Sequence, residues 1–542
     1  MQKLVLLILL TALLNGIAAS SPAETITFIY IEPAEGESSG GHAALQIDNQ
    51  VYDFQHDDLG LIQLKRHRAQ DFQFNYRFLQ NRPLHSAELN LPATKRHAIA
   101  ENAKAQYWLQ QQRNHLLNAL EQDQLLLTQF AEPNQTPSAL HLKYAGLFYQ
   151  AADISRIGLP LPVIQPSPAI IALRTEIYQQ YGSTFLTQKI RQLNHALQEL
   201  PIHTWSKSLT KNYYGLTDAY QDVLAQRLSL YVLLQARPLN PEALISLPPT
   251  QIISPSEYQQ LVQLKRGLQK TIVEQLSTDS PGLGQRLFVN LARWLAINHS
   301  LTTQHWHFVD TFADESSIST THERQQYRAQ YEQLKNNAAV DFNKSKERFI
   351  QPNLMLERAY SQLEQAGNRY AELQKPDSEP IRMTHIKLLP EKGLLLKQLP
   401  TPNLTRSTIN SALNQLSTVR QQTLATLKQQ QSYHLLDKNC VTELFKLIDN
   451  TANHQPFIPY LAYINLDKHF QLNAQTELAS YRQLTLEQLS KDQSPLLTVI
   501  RESNTLSSTL YHYHDDDAFF IFFSDDYALL RPLFGATNTA AA

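Results

Sequence analysis

The 542-residue chain contains a single cysteine, Cys440, set in the segment that runs from Tyr433 through Asp449. A thiol attacks carbon as its thiolate, and the unpaired N–H groups and dipole at a helix N-terminus favour that form. Asn439 is a strong N-cap residue, and Leu444, Leu447 and Ile448 recur at helical spacing. The pattern therefore predicts a helix that starts at Cys440 and buries one face. Taken alone, a free cysteine reads equally well as an inert small side chain packed in a core.

A thiolate needs a base that can return its proton to a leaving group, and imidazole is suited to both roles. His42, one of 19 histidines, opens an apolar stretch directly after Gly40 and Gly41 in a chain with only 15 glycines. Glycine permits close backbone approach, so the cluster marks a special loop. If Asp48 and Asn49 form a two-residue turn, Ile47 pairs with Gln50. His42 then lies opposite Gln55, with Asp53 diagonal to it on the same face. Asp53 is the preferred third member because a carboxylate both orients the ring and stabilises the imidazolium. Gln55 is the alternative, and a one-residue slip would bring in His56 instead.

Several elements must position these residues. Thr25–Ile31, His42–Ile47 and Gln50–Phe54 read as strands, with His85–Leu91 adding another that ends at Pro92. From Ala93 to about Pro380 the chain becomes Gln-rich, with apolar residues at helical spacing in Arg96–Phe130, Ile171–Leu200, Thr217–Ala236, Glu257–Leu276 and Glu323–Gln365. Beyond it, Met383–Leu389 and Gly393–Leu399 read as a hairpin, and Ser407–Gln430 as a helix capped by Thr405 or Ser407. Phe519–Phe523 and Tyr527–Leu530 read as two further strands.

Gly41-His42 leading a strand and hairpin, with Asn439-Cys440-Val441-Thr442 opening a late helix, resembles the circularly permuted branch of the NlpC/P60 papain-like superfamily. The similarity is greatest to the Lnb-type periplasmic domain, whose late helix follows the pattern Tyr-x5-Asn-Cys-x3-Leu; Tyr433, Asn439, Cys440, Thr442 and Leu444 fit it. The resemblance implies an α+β, circularly permuted papain-like core interrupted by a large all-helical insertion. Residues 23–92 would supply its first half with the His strand, 93–380 the insertion, 381–455 the second half with the Cys helix, and 456–542 a C-terminal extension. It also implies a Cys-His-polar triad working through a thioester, in enzymes that act as acyltransferases, lipid-active enzymes or amide hydrolases. The chain departs from membrane-bound relatives in having no transmembrane segments after the domain.

The N-terminus indicates export. Gln2 and Lys3 precede an apolar run from Leu4 to Leu14 and then small residues, the layout of a secretory signal over residues 1–20. No cysteine stands near the cleavage region, so no lipid anchor is expected there. The mature chain is expected to be soluble and periplasmic or otherwise exported. Lys and Arg total 47 against 49 Asp and Glu, which leaves no basic footprint for nucleic acid. The expected partner is an envelope lipid, lipoprotein or peptide substrate, and no cofactor or metal is expected.

Other motifs compete less well. Gly36-x-Ser38-x-Gly40 matches a serine-hydrolase elbow, but that elbow leads into a helix whereas His42 begins a strand pattern. Tyr511 through Asp517 carries His512 and His514 beside three aspartates, better read as a polar tail than a metal site. His299, His305 and His307 around Trp306 read as packing and surface residues. The alternative of a different class is a non-catalytic envelope scaffold binding a protein partner through the helical block. If the export reading is right, N-terminal sequencing of protein released by opening the outer compartment will begin between about Ala18 and Ser21. Full-length chain starting at Met1 in the cytosolic fraction would contradict it.

Overall fold

β-Branched and aromatic side chains alternate along Ile26–Ile31 (β1), and this strand is central to an antiparallel sheet of six. Its partners are His42–Ile47 (β2), Gln50–His56 (β3), Ile62–Arg68 (β4), Leu84–Leu89 (β5) and Leu472–Leu478 (β6), in the order β6-β5-β1-β2-β3-β4. The structure is a computed structural model that describes residues 25–32, 41–132 except 58 and 81, 140–150, 165–202, 213–312, 316, 318–352, 355–383, 389–396, 399–448, 457–481, 483–484 and 491. The fold class is α+β. The serine-elbow motif, the metal-like tail and the two late strands expected at Phe519–Phe523 and Tyr527–Leu530 lie outside the described residues.

The chain divides into two units, one of residues 1–111 with 425–542 and one of residues 112–424. The first unit thus takes in the start of the helical block expected at 93–380, and residues 381–424 cluster with the second unit. β6 lies within the expected extension 456–542 yet completes the sheet.

In the first unit the helices are Ala69–Phe74 (α1), the start of Ala93–Ala131 (α2), the end of Arg406–Gln431 (α3), Cys440–Ile448 (α4) and Pro459–Ile464 (α5). Each sheet face has its own core. On one face Phe28, Leu45 and Phe54 pack against Val441, Leu444, Phe445, Leu447 and Ile448 of α4. Burial of such a side chain stabilises by roughly 1.5–3 kcal/mol. On the other face Ile29, Ile31, Ala44 and Val51 pack against Ala69 and Phe72 of α1 and the nearby Tyr76. The outer edge of β4 is satisfied by a side chain: Leu64 N–H donates to Gln110 Oε1 at 2.6 Å, and Gln110 Nε2 donates to Leu64 O at 3.2 Å.

The turn between β2 and β3 pairs Ile47 with Gln50, as its Asp-Asn sequence implies, with Asp48 at φ +51°. Gly41 enters β2 at φ +81°, and a Cβ there would fall 2.6 Å from both Ile31 O and Tyr30 Cε2. Only glycine fits this approach to β1.

The second unit is built mainly from helices around a core that includes Trp306, Phe308 and Phe342. The expected helix Ile171–Leu200 is two, Pro168–Tyr181 and Phe185–Gln198, and Glu323–Gln365 is interrupted after Gln326 and again between Phe349 and Leu356. Leu283–Thr303, which has no counterpart among the expected helices, is buried on most sides, so no polar stripe marks its period. Much of the hairpin expected at Met383–Leu389 and Gly393–Leu399 lies outside the described residues, which leave out 384–388 and 397–398. Leu394–Leu395 pairs with His141–Leu142, and Ile381–Arg382 with Ile318–Ser319. The helix over 406–431 is capped by Thr405, whose Oγ1 accepts from Thr408 N at 3.2 Å. His307 is held by Ser246 Oγ at 2.9 Å and Thr303 Oγ1 at 3.0 Å, a packing role.

Asn439 fixes where α4 begins. Its Oδ1 accepts from Val441 N and Thr442 N, each at 3.0 Å, and its Nδ2 donates to Leu435 O at 2.6 Å and Phe457 O at 2.8 Å. The side chain is 3% exposed, so none of these bonds can be replaced freely by water. Asn439→Ala removes the cap and takes the amide donor from Leu435 O and Phe457 O, with an expected loss of about 1–2 kcal/mol. Hydrogen exchange at the α4 amides, read beside urea denaturation, checks this; a loss under about 0.5 kcal/mol would show that the cap is not what holds the helix start.

Candidate functional site

His42 is the first residue of β2 and Asp53 sits in the middle of β3, with β2 and β3 paired through Ala44 and Asp53. Side chains two apart across a pair share a face, so the two meet diagonally. His42 Nε2 lies 2.9 Å from Asp53 Oδ2. The Asp53 side chain is fully buried and that of His42 is 13% exposed. Asp53 therefore does not stand at the rim of a site. It is enclosed, and substitutions there act on the fold as well as on His42.

The two alternatives for the third position have different places. Gln55 donates its Nε2 to Asp53 Oδ2 at 2.7 Å and so contacts the carboxylate. His56 is exposed and tilts against the Tyr433 ring, with centroids 5.5 Å apart. A residue absent from the sequence reading completes the cluster. His67 Nε2 of β4 stands 3.1 Å from Asp53 Oδ1, an ion-pair distance without hydrogen-bond alignment. The register places His67 opposite Val51 and therefore diagonal to Asp53. The signal was the turn at Asp57–Gly60, which returns the chain as a strand alongside β3.

Aromatic rings support the imidazoles. His42 stacks near Tyr76 with centroids 6.2 Å apart, His67 tilts on Phe72 at 5.7 Å, and Phe72 meets Tyr76 at 4.6 Å. These rings fill the face opposite the one that packs α4.

Cys440 is the first residue of α4 and is partly buried. Its side chain lies close enough to the His42 ring to bias that ring toward its protonated form. His42 Nε2 is engaged by Asp53. Tyr433 is close enough to feel charge on Cys440; burial first and that charge second push its phenol up. Among the described residues no group of three His, Cys, Asp or Glu side chains is placed to hold a metal ion. No helix among them is long and apolar enough to cross a membrane.

Burial alone would depress the His42 pKa, but hydrogen bonds to Asp53 and Cys440 and their charges outweigh it and raise it to about 9. Burial would raise the Asp53 pKa, but the hydrogen bond of His42 and the charges of His42 and His67 hold it well below the usual carboxylate range. The arrangement is an imidazole ring bonded to a buried carboxylate with the thiol of Cys440 beside it. It can hold a thiolate, deliver a proton and take one back.

Comparison with models of protein families, with curated proteins and with solved structures gives no match.

The raised His42 pKa has a definite sign. A group whose folded pKa exceeds its unfolded value contributes stability that is full below the unfolded value and lost as pH rises through the folded one. The stability difference between wild type and His42→Asn should therefore be largest below about pH 6.5 and shrink as pH climbs to about 9. Urea denaturation across that range measures it. A difference that stays constant would mean that His42 does not hold its proton in the folded chain.

Proposed function

We propose that this chain is an exported cysteine-dependent acyl-transfer enzyme, an acyltransferase or an amide or ester hydrolase, that forms a thioester on Cys440. The observation that carries the reading is the His42 ring bonded to the buried Asp53 carboxylate, with the Cys440 thiol near it at a helix start. In the proposed reaction the Cys440 thiolate attacks an acyl carbonyl carbon, forming a C–S bond. The bond to the oxygen or nitrogen leaving group breaks as the His42 imidazolium gives that atom its proton. Neutral His42 then takes a proton from water or an amine, which attacks the thioester, and the C–S electron pair returns to sulfur as thiolate. Asp53 orients the ring and stabilises its charged form. Asn439 Oδ1 is committed to Val441 and Thr442, leaving the N–H of Cys440 as the helix-start donor for the developing oxyanion.

The same reading takes the sheet with α4 as a circularly permuted papain-like core of the NlpC/P60 kind, with residues 112–424 as the insertion. Support comes from chain order, with a histidine that opens a strand preceding a cysteine that opens a helix, and from an acidic partner on the next strand. Envelope lipids, lipoproteins and peptides are the substrate classes that fit an exported thiol of this type. A scaffold that only binds a partner would have no need of a charged imidazole beside its only thiol.

The test is intact-mass measurement of the full chain incubated with an activated acyl ester such as p-nitrophenyl octanoate. Wild type should gain one octanoyl group. Cys440→Ser should gain none, because a hydroxyl at neutral pH is a far poorer nucleophile. His42→Ala should be nearly as inactive, and the double variant little worse than either. Asp53→Asn, which keeps the buried shape, should slow acylation by about 10²-fold. Acylation of Cys440→Ser at the wild-type rate would remove the thiol from the mechanism.

A further inference from the structure

Large apolar side chains lie exposed on either side of the start of α4. Backbone bonds from His434 N to Lys438 O and from Lys438 N to His434 O, both 3.0 Å, close a tight turn. At its tip Leu435 and Leu436 are each 65% exposed. Beyond α4, Tyr460 is 51%, Ile464 46%, Leu461 39% and Phe457 37% exposed. Asn439 joins the two stretches, since its amide donates to both Leu435 O and Phe457 O and its neighbour is Cys440. Exposed apolar clusters of this kind mark interaction surfaces.

We propose that Leu436 at the turn tip and the Tyr460–Ile464 face of α5 dock on the surface of a lipid bilayer. Three features select this occupant. The leucines stand at the tip of a closed turn, a projecting shape suited to entering a soft apolar layer. A tyrosine ring beside aliphatic side chains suits the boundary between acyl chains and headgroups. The tip also carries no net charge, because Asp437 adjoins Lys438, so it matches a neutral interface better than a charged protein surface. The docking is independent of thiol chemistry. Only its consequence, that Cys440 meets acyl esters at the bilayer, rests on the catalytic reading.

The test is co-sedimentation of the full chain with vesicles of phosphatidylethanolamine and phosphatidylglycerol. Wild type should bind, and Leu436→Asp and Ile464→Asp should each weaken binding by about tenfold or more. Because apolar contact carries the binding, raising salt from about 0.1 to about 0.5 M should change it by less than about twofold. Iodoacetamide should alkylate Cys440 equally fast in the wild type and both variants, which reports on the fold and the thiol separately. Absence of wild-type binding, binding unchanged in both variants, or a concentration-dependent dimer that both variants abolish would each overturn the proposal. Vesicle binding by a chain that forms no thioester would leave the docking in place and count only against the catalytic reading.

Discussion

A carboxylate sealed inside a sheet must be surrounded by donors, and Asp53 meets that demand by drawing three strands together. His42 arrives from β2, Gln55 from β3 itself and His67 from β4. Remove any of them and a buried oxygen loses part of what holds its charge. The register of β2 on β3 and of β3 on β4 is therefore tied to the electrostatics of one residue. The rings of Phe72 and Tyr76 pack against the two imidazoles of that cluster. The position of the His42 ring, and through it the relation to Cys440, follows from this one buried charge.

The central strands and the cysteine helix were legible because their residues obey short-range rules. Ile26–Ile31 is a short run of β-branched and aromatic residues, Asp48-Asn49 is good turn chemistry, and Asn439 before an apolar stripe fixes a helix start to the residue. Asp53 was reachable because a hairpin register can be counted from its turn. The edge strands were not. β4 reads as Gln63, Lys65, Arg66, His67 and Arg68 between a few apolar residues, and β6 is mostly exposed. Edge strands carry charge to discourage pairing with other chains, so the apolar alternation that marks a strand is weak there. His67 was missed with the strand that carries it.

In the helical unit the opposite problem arises. Leu283–Thr303 is buried without interruption from Leu287 to Ile297 and exposes side chains only toward its ends, so a pattern that depends on contrast is weak along its middle. Its Arg293 side chain is nevertheless charged and buried, paired with Glu364 at 2.9 Å through Nε and 2.5 Å through Nη2. Such a pair fixes how two helices meet more than it stabilises them. Pairing over long sequence distance, as between Leu394–Leu395 and His141–Leu142, likewise leaves no local trace.

The solitary cysteine has a redox consequence. A thiol that oxidises to sulfenic acid is commonly rescued by a second cysteine of the same chain, which forms a disulfide before further oxygen is added. This chain has no second cysteine. Once oxidised, Cys440 can be recovered only by a thiol from another molecule, and without one it proceeds to sulfinic acid, which is not reversed by simple reductants. How long the thiol persists is then set by the small thiols and reductases around it.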